Sequence, residues 1–231
     1  IPSLVVNKNL TIRELKKILK LQGKRFNGRI ILFKGHGGSK LLSSSEKSLS
    51  ELGIKDGSTI TLNVFPHDPT QDPVLLSAAN KSNLQGVKGA LSMKADPDTQ
   101  NTKGETALLN ACIACDEENL EIITLLVDAG ADPNIQNNDE DTPLMWASKS
   151  IEAIKLLTAA GADLNIQDNE GDTVLSWVVD DGNLVENLRV LLTSKADPDL
   201  KNHKGETAFD MAFTPEMKQM LQEAMSPTEE R

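Results

Sequence analysis

The cysteines of the 231-residue chain are Cys112 and Cys115, in the C-x-x-C spacing that elsewhere binds metal ions or shuttles electrons. A tetrahedral zinc site needs about four ligands, and no second Cys or His pair lies at a spacing that would complete one. A single pair of thiols is also too little for a disulfide framework and fits a reducing compartment. Gly35-His36-Gly37-Gly38-Ser39-Lys40 has the composition of a phosphate cradle. It lacks the P-loop spacing and opens no helix, so it reads as a loop between strands. His36, His67 and His203 sit in turn-like or linker stretches, with no Ser or Cys nucleophile implied beside them. No acid, base, nucleophile and metal constellation emerges, so no catalytic residue is assigned and neither metal nor cofactor is expected. Recognition, in which no bond is made or broken, is the chemistry that remains.

What must position recognition residues is visible in charge and repetition. Residues 1–65 hold 12 Lys+Arg against 4 Asp+Glu, a balance of +8, and the remainder holds 12 against 30, a balance of −18. Halves of such opposite sign are expected to be different domains. The acidic half repels phosphate backbones, which argues against nucleic acid. No window approaches the run of about 20 apolar residues that a membrane span needs, and no basic-then-apolar leader opens the chain. A soluble, monomeric protein of the cytoplasm or nucleus is expected.

From about residue 73 one phrase recurs: KADPDTQNTKGETAL at 94–108, GADPNIQNNDEDTPL at 130–144, GADLNIQDNEGDTVL at 161–175 and KADPDLKNHKGETAF at 195–209. A fixed period of this size marks a repeat architecture. Between copies lie two apolar-periodic stretches, such as TALLNACIAC and NLEIITLLVDAG, which predict a pair of antiparallel helices. Thr106, Thr142, Thr173 and Thr207 stand where the first helix needs an N-cap, and Pro143 fits a first turn. Gly130 and Gly161 stand where the second helix must end with positive φ. The Leu pairs Leu125-Leu126, Leu156-Leu157 and Leu191-Leu192 predict the face buried between units, since one unit cannot cover its own apolar side. The acidic run Asp116-Glu117-Glu118 reads as an insertion at a helix turn, and the unit at 142–172 is shortened at the same place.

The pattern G-x-T-P-L, two helices, then L-L-x-x-G-A-D-x-N resembles the ankyrin repeat over about two thirds of the chain. The resemblance implies an all-α solenoid of about four repeats and a truncated C-terminal cap over residues 73–226, with a tail at 227–231. Where the family reads T-P-L-H, this chain reads TALL, TPLM, TVLS and TAFD. The His that ties adjacent turns is absent, and modest stability is expected. Cys112 falls where ankyrin units bury Ala, which makes it a buried thiol.

Residues 10–22, LTIRELKKILKLQ, predict an amphipathic helix whose basic face carries Arg13, Lys16, Lys17 and Lys20, with Lys24 beyond it. Strand-like runs lie at Leu4–Val6, Arg29–Phe33 and Thr59–Phe65. With TIRELKKIL, IILFKG and SLSELGIKDGSTITLNV, this α+β order resembles the ubiquitin-like β-grasp over residues 3–65. The domain is taken as 1–65, followed by a Pro-rich linker at 66–72. The fold's first strand has no counterpart before Ile1, which implies a fragment trimmed at its start or a sheet completed another way. No Gly-Gly terminus follows Phe65, so conjugation is not expected, and Thr61 and Asn63 replace part of ubiquitin's apolar patch.

Counting four residues from each unit's Thr gives a ladder Asn110, Trp146, Trp177, Met211 along the inner helices. An aromatic anchor of that kind dominates many interfaces; packing between helices accounts equally for the position. Ankyrin partners touch finger tips and inner-helix ends. The resemblance therefore implies contacts at Thr102, Lys103, Asn138, Asp139, Asp141, Asn169, Glu170, Asp172, His203 and Lys204 on the fingers, and at Lys149, Asp180 and Asp181 on the helices. The acidic middle of this groove favours a protein with a basic segment, and the basic first domain favours an acidic surface. Asn134 and Asn165 resemble substrates of the asparaginyl hydroxylase that modifies ankyrin repeats.

Three functional readings follow. An adaptor binds one partner in the ankyrin groove and docks a second through the ubiquitin-like domain, with the ubiquitin pathway as one setting. Alternatively the first domain is of the Ras-association kind and meets a small GTPase through Arg13, Lys16, Lys17, Lys20 and Lys24. In the third reading the basic domain clamps the acidic stack and masks it.

Overall fold

In the computed structural model, residues 3–5, 31–33, 39–41, 59–63, 68–114 and 116–225 are described. The basic face of Arg13, Lys16, Lys17, Lys20 and Lys24 lies outside these residues, as do His36, His67 and Cys115.

The recurring phrase marks off ten α-helices among the described residues, in five consecutive pairs. They are α1 (Asp72–Asn80) and α2 (Leu84–Ser92), α3 (Ala107–Ala114) and α4 (Glu117–Asp128), α5 (Pro143–Trp146) and α6 (Ile151–Ala159), α7 (Val174–Asp180) and α8 (Val185–Thr193), α9 (Ala208–Met211) and α10 (Pro215–Met225). Each first helix packs on the first helix of the next unit, and each second helix on the next second helix. Two helical layers result, with the core between them.

That core is drawn from one register of each helix. Leu75, Leu108, Leu144 and Leu175 of the first helices and Leu126, Leu157 and Leu191 of the second are essentially inaccessible. Leu125, Leu156 and Leu192 are only half-buried. In the fourth unit the residues equivalent to the other Leu pairs are Val190-Leu191, one place earlier than the doubled Leu indicates. Truncating any of the inaccessible leucines costs about 2–5 kcal/mol.

Helix starts follow the Thr pattern with one exception. Thr106, Thr142 and Thr207 accept from the backbone N–H three residues on, at 3.2, 3.4 and 3.3 Å. At Thr173 the bond runs backwards, its own N–H donating to Ser176 Oγ at 3.4 Å. The acidic insertion is not a plain turn: Asp116 caps α4 by accepting from Asn119 N–H at 2.9 Å, and Glu117 opens the helix. The shortened unit replaces the end of its first helix by a 3₁₀ turn, Ala147–Lys149. The linker is expected to run to residue 72, yet Asp68 N–H already donates to Lys94 C=O, and Asp72 begins α1 while accepting from Asp96 N–H.

Each turn-rich finger is folded round one side chain. Asn101, Asn137, Asp168 and Asn202 hold equivalent places, and the Oδ1 of each accepts two backbone N–H groups of its own finger. The preceding residue joins fingers together. Gln100 Nε2 donates to Gly104 C=O and to Gln136 C=O, Gln136 to Glu140 and Gln167, and Gln167 to Gly171 and Lys201. A primary amide has two donors, one for its own finger and one for the next. This row links adjacent turns in a chain that lacks the family's His. Backbone bonds from Asn138, Asn169 and His203 N–H to the preceding finger add to it, at 2.9, 3.2 and 2.9 Å.

Gly130 and Gly161 end their helices at φ 89° and 92°, but Lys94 and Lys195 hold the equivalent places at 70° and 71°. In the fingers Gly104, Gly171 and Gly205 are likewise left-handed, and Glu140 takes that place at φ 63°.

Of residues 1–65 the described strands are β1 (Ser3–Val5), β2 (Ile31–Phe33), β3 (Ser39–Leu41) and β4 (Thr59–Asn63). They pair antiparallel in the order β1-β4-β2-β3, with Leu4 opposite Ile60 and Leu32 between Leu62 and Lys40. Ser39 and Lys40, expected in a glycine-rich loop, belong to a strand. The expected helix at 10–22 lies outside the described residues.

Candidate functional site

Trp146 and Trp177 come together as counted: their ring centroids are 5.5 Å apart with planes at 69°, an edge-to-face pair. Both indole N–H groups are fixed by carboxylates. Trp146 Nε1 donates to Asp141 Oδ2 at 3.1 Å, and Trp177 Nε1 to Asp168 Oδ2 at 2.9 Å. Trp146 remains 36% exposed, whereas Trp177 and Met211 are half-buried and Asn110 is buried at 6%. The most exposed ring of the ladder is therefore Trp146, at the third unit, and Asn110 belongs to the interior.

The finger residues divide by position. Thr102, Lys103, Asn138, Asp139, Asn169, Glu170, His203 and Lys204 are exposed at the tips. Asp141 is expected there too, but it is buried at 7%. Its Oδ2 accepts from both Asn137 Nδ2 and Trp146. Burial pushes its carboxyl above the usual carboxylate range; these two bonds oppose that, and the neighbouring Asp168 and Asp139 charges add to it. Asp172 is half-buried and accepts from Asn202 Nδ2 at 3.0 Å. At the helix ends Asp180 is exposed, and Lys149 lies 3.6 Å from Asp181. Asn134 is tied to the next unit, accepting from Asp163 N–H and donating to Gly161 C=O. Asn165 accepts from Asp197 N–H.

A family model described as ankyrin repeats (3 copies) matches residues 75–168 and 111–202, more than half of the chain. The chain belongs to the ankyrin-repeat family. Ankyrin repeats are generally protein–protein interaction modules and typically non-catalytic. No curated protein matches the chain. Among the described residues no helix is long and apolar enough to cross a membrane. Cys112 is fully buried, as an ankyrin Ala would be.

Three features of this ankyrin face escape sequence reasoning. Ile113, in the last turn of α3, stands at the place Lys149 and Asp180 hold in later units, and it is 45% exposed. Phe213, just past α9, is 73% exposed. Counting from Thr106 finds Ile113, but apolar residues in a helical pattern read as core. The third is Asp168, whose pairing with Trp177 spans nine residues and leaves no local signature.

Proposed function

We propose that this ankyrin-repeat chain is a non-catalytic cytoplasmic scaffold whose first-helix and finger face binds a partner protein presenting a basic segment. Residues 1–65 act as a ubiquitin-like domain that docks a second, acidic partner, a ubiquitin-pathway protein in the first instance. The observation that carries the first part is Trp146, a large apolar ring left 36% exposed although its N–H is anchored to a buried carboxylate. Exposed, preorganised aromatic rings are the residues on which interface energies concentrate. Acidic side chains on the same fingers, Asp139 and Glu170, support a basic partner. The second part leans on the sequence phrases of residues 3–65 and on the described strands.

An affinity pull-down from cell lysate compares wild type with the Trp146→Ala, Trp177→Ala double variant, both first shown to be folded. Loss of specific proteins with the tryptophans is the expected result. An unchanged captured set refutes the assignment of the face and moves attention to residues 1–65.

The balances of +8 and −18 favour a second reading, in which the basic half masks the acidic stack. Chemical cross-links between the halves that disappear at high salt are expected of it, and their absence at low salt excludes it. Asn134 and Asn165 are proposed hydroxylation sites; intact mass after treatment with an asparaginyl hydroxylase gains one oxygen per site, and an unchanged mass refutes them.

A further inference from the structure

Among the described residues, no ion pair reaches the buried carboxylates behind the tryptophans: Lys88–Glu121, Lys149–Asp181 and Arg189–Glu186 all leave out Asp141 and Asp168. Both are 7% exposed. A buried carboxylate is costly unless hydrogen bonds or a cation offset it, and among the described residues hydrogen bonds do so. Burial, helped by the charges of Asp168 and Asp139, holds the Asp141 carboxyl above its ordinary range. Buried Asp141 and Asp168 and exposed Asp139 and Glu170 thus gather acidic groups around the two indoles.

That cluster coincides with an aromatic face. An indole is the best of the aromatic side chains for a cation lying over its ring. An N–H donated to a carboxylate, as Trp146 gives to Asp141 at 3.1 Å, places negative charge at the ring's edge and adds to the attraction the ring itself has for a cation. Trp177 meets Trp146 edge-to-face and fixes its orientation. Lys149 is held at Asp181. Asp139, Glu140 and Glu170 stand exposed on the adjoining finger tips, where they steer a positive segment inward. Ile113, one unit earlier and 45% exposed, gives the face an apolar rim.

We propose that Trp146, 36% exposed, receives an arginine side chain of the partner, its guanidinium lying over the indole. A guanidinium is planar and weakly hydrated, so it lies flat on an aromatic ring with less loss of solvation than an ammonium. The assignment deepens the reading of this face as partner-binding and rests on it.

The test titrates the full chain, at physiological ionic strength so that long-range attraction is screened. The probes are a short soluble peptide alternating Arg with Leu and counterparts in which Arg becomes citrulline, its neutral isostere, or Lys. The arginine peptide is expected to bind at least about twofold tighter than the citrulline peptide, the lower end for a cation on an exposed ring. The Lys peptide is expected to fall between them. In Trp146→Leu, which keeps an apolar contact and removes the ring, the Arg-to-citrulline ratio should fall to about one. Trp146→Phe, a smaller perturbation of packing, should keep a reduced ratio and carries the test if the Leu variant does not fold, with thermal melts as the check. An equal affinity of the citrulline peptide, a ratio unaffected by either substitution, a Lys peptide that binds tightest, or no saturable binding of the arginine peptide each overturns the proposal. If the pull-down loses proteins with the tryptophans while citrulline binds as well as arginine, the partner-binding face stands and only the guanidinium fails.

Discussion

Asp168→Asn separates the need for a carboxylate from the need for any hydrogen-bonding side chain at the root of the third finger. Asp168 Oδ1 accepts the N–H groups of Glu170 and Asp172 at 2.9 Å each, and Oδ2 accepts Trp177 Nε1–H at 2.9 Å. All three partners are donors, and an amide has a single acceptor atom. With its oxygen toward the backbone, as Asn101, Asn137 and Asn202 hold theirs, the new amide would point its NH₂ at the indole N–H; reversed, it would point it at two backbone N–H groups. Either way a donor loses its acceptor in a buried place, at a cost of about 1–3 kcal/mol. For a stack of this size that lowers Tm by roughly 2–12 °C. Asp141→Asn is the matched control. Asp141 Oδ2 receives both Asn137 Nδ2 and Trp146 Nε1, so one amide oxygen serves both. Burial raises the Asp141 carboxyl above its ordinary value, so the stability it contributes is present below that ordinary value and is lost as pH rises through the raised one. Asp141→Asn removes that loss. The variant should equal or exceed wild type at neutral pH, by a margin that shrinks on acidification. Thermal and urea melts followed by circular dichroism and tryptophan fluorescence measure both variants. An Asp168→Asn within about 0.5 kcal/mol of wild type, the range of an indifferent surface change, would refute the reasoning. It would mean that Trp177 can move to Asp172, as Trp146 uses Asp141.

Glu140→Gly should stabilise by about 0.5–1 kcal/mol: a left-handed non-glycine residue costs about 1–2 kcal/mol and glycine returns part of that as unfolded-chain entropy. The finger bond beside it, Asn169 N–H to Asp139 C=O, is the longest of its kind at 3.2 Å against 2.9 Å and should shorten; a drop in urea midpoint counts against this. Gly89→Ala should also stabilise by about 0.5–1 kcal/mol, since a Cβ there meets nothing within 4 Å, while Gly86→Ala should destabilise, its Cβ falling 2.9 Å from Ala78 Cβ. Denaturant melts of the two glycine variants should move in opposite directions. Gln136→Met keeps length and removes two hydrogen bonds, at a cost of about 1–3 kcal/mol; hydrogen exchange should speed at Asn169 N–H before it does at Asn138 N–H, and uniform protection would disprove the link.

The repeat was legible because its signals are local and recur. An N-cap Thr, a turn glycine and a two-helix apolar period each lie within a few residues, and four copies average out the accidents of any one. The misreadings came from positions decided by another unit or by a single bond. The doubled Leu191-Leu192 hid that Leu191, not Leu192, holds the fully buried place. Asp116 looked like part of an inserted turn, although an acidic residue just before a helix is also an N-cap signal. Glu140 stands where counting from Lys94 and Gly130 calls for Gly, so its strain could have been found. Trp146 and Trp177 were found by counting, but the burial of Asn110 at the same rung, and of Asp141 at a finger, depends on what the next unit lays over them.

The glutamine row reads in one direction only. Gln100, Gln136 and Gln167 each reach forward, and the place after them is Lys201. For the history of such a chain this matters. Duplicating an interior unit copies both an amide that reaches forward and a carbonyl that receives from behind, so the new copy is stitched on both sides at birth. A unit appended after the fifth would meet a flexible ammonium where interior units present a planar amide with two fixed donors. Lengthening by internal duplication thus copies the stitch intact, whereas a unit added after residue 201 would be joined by a looser one.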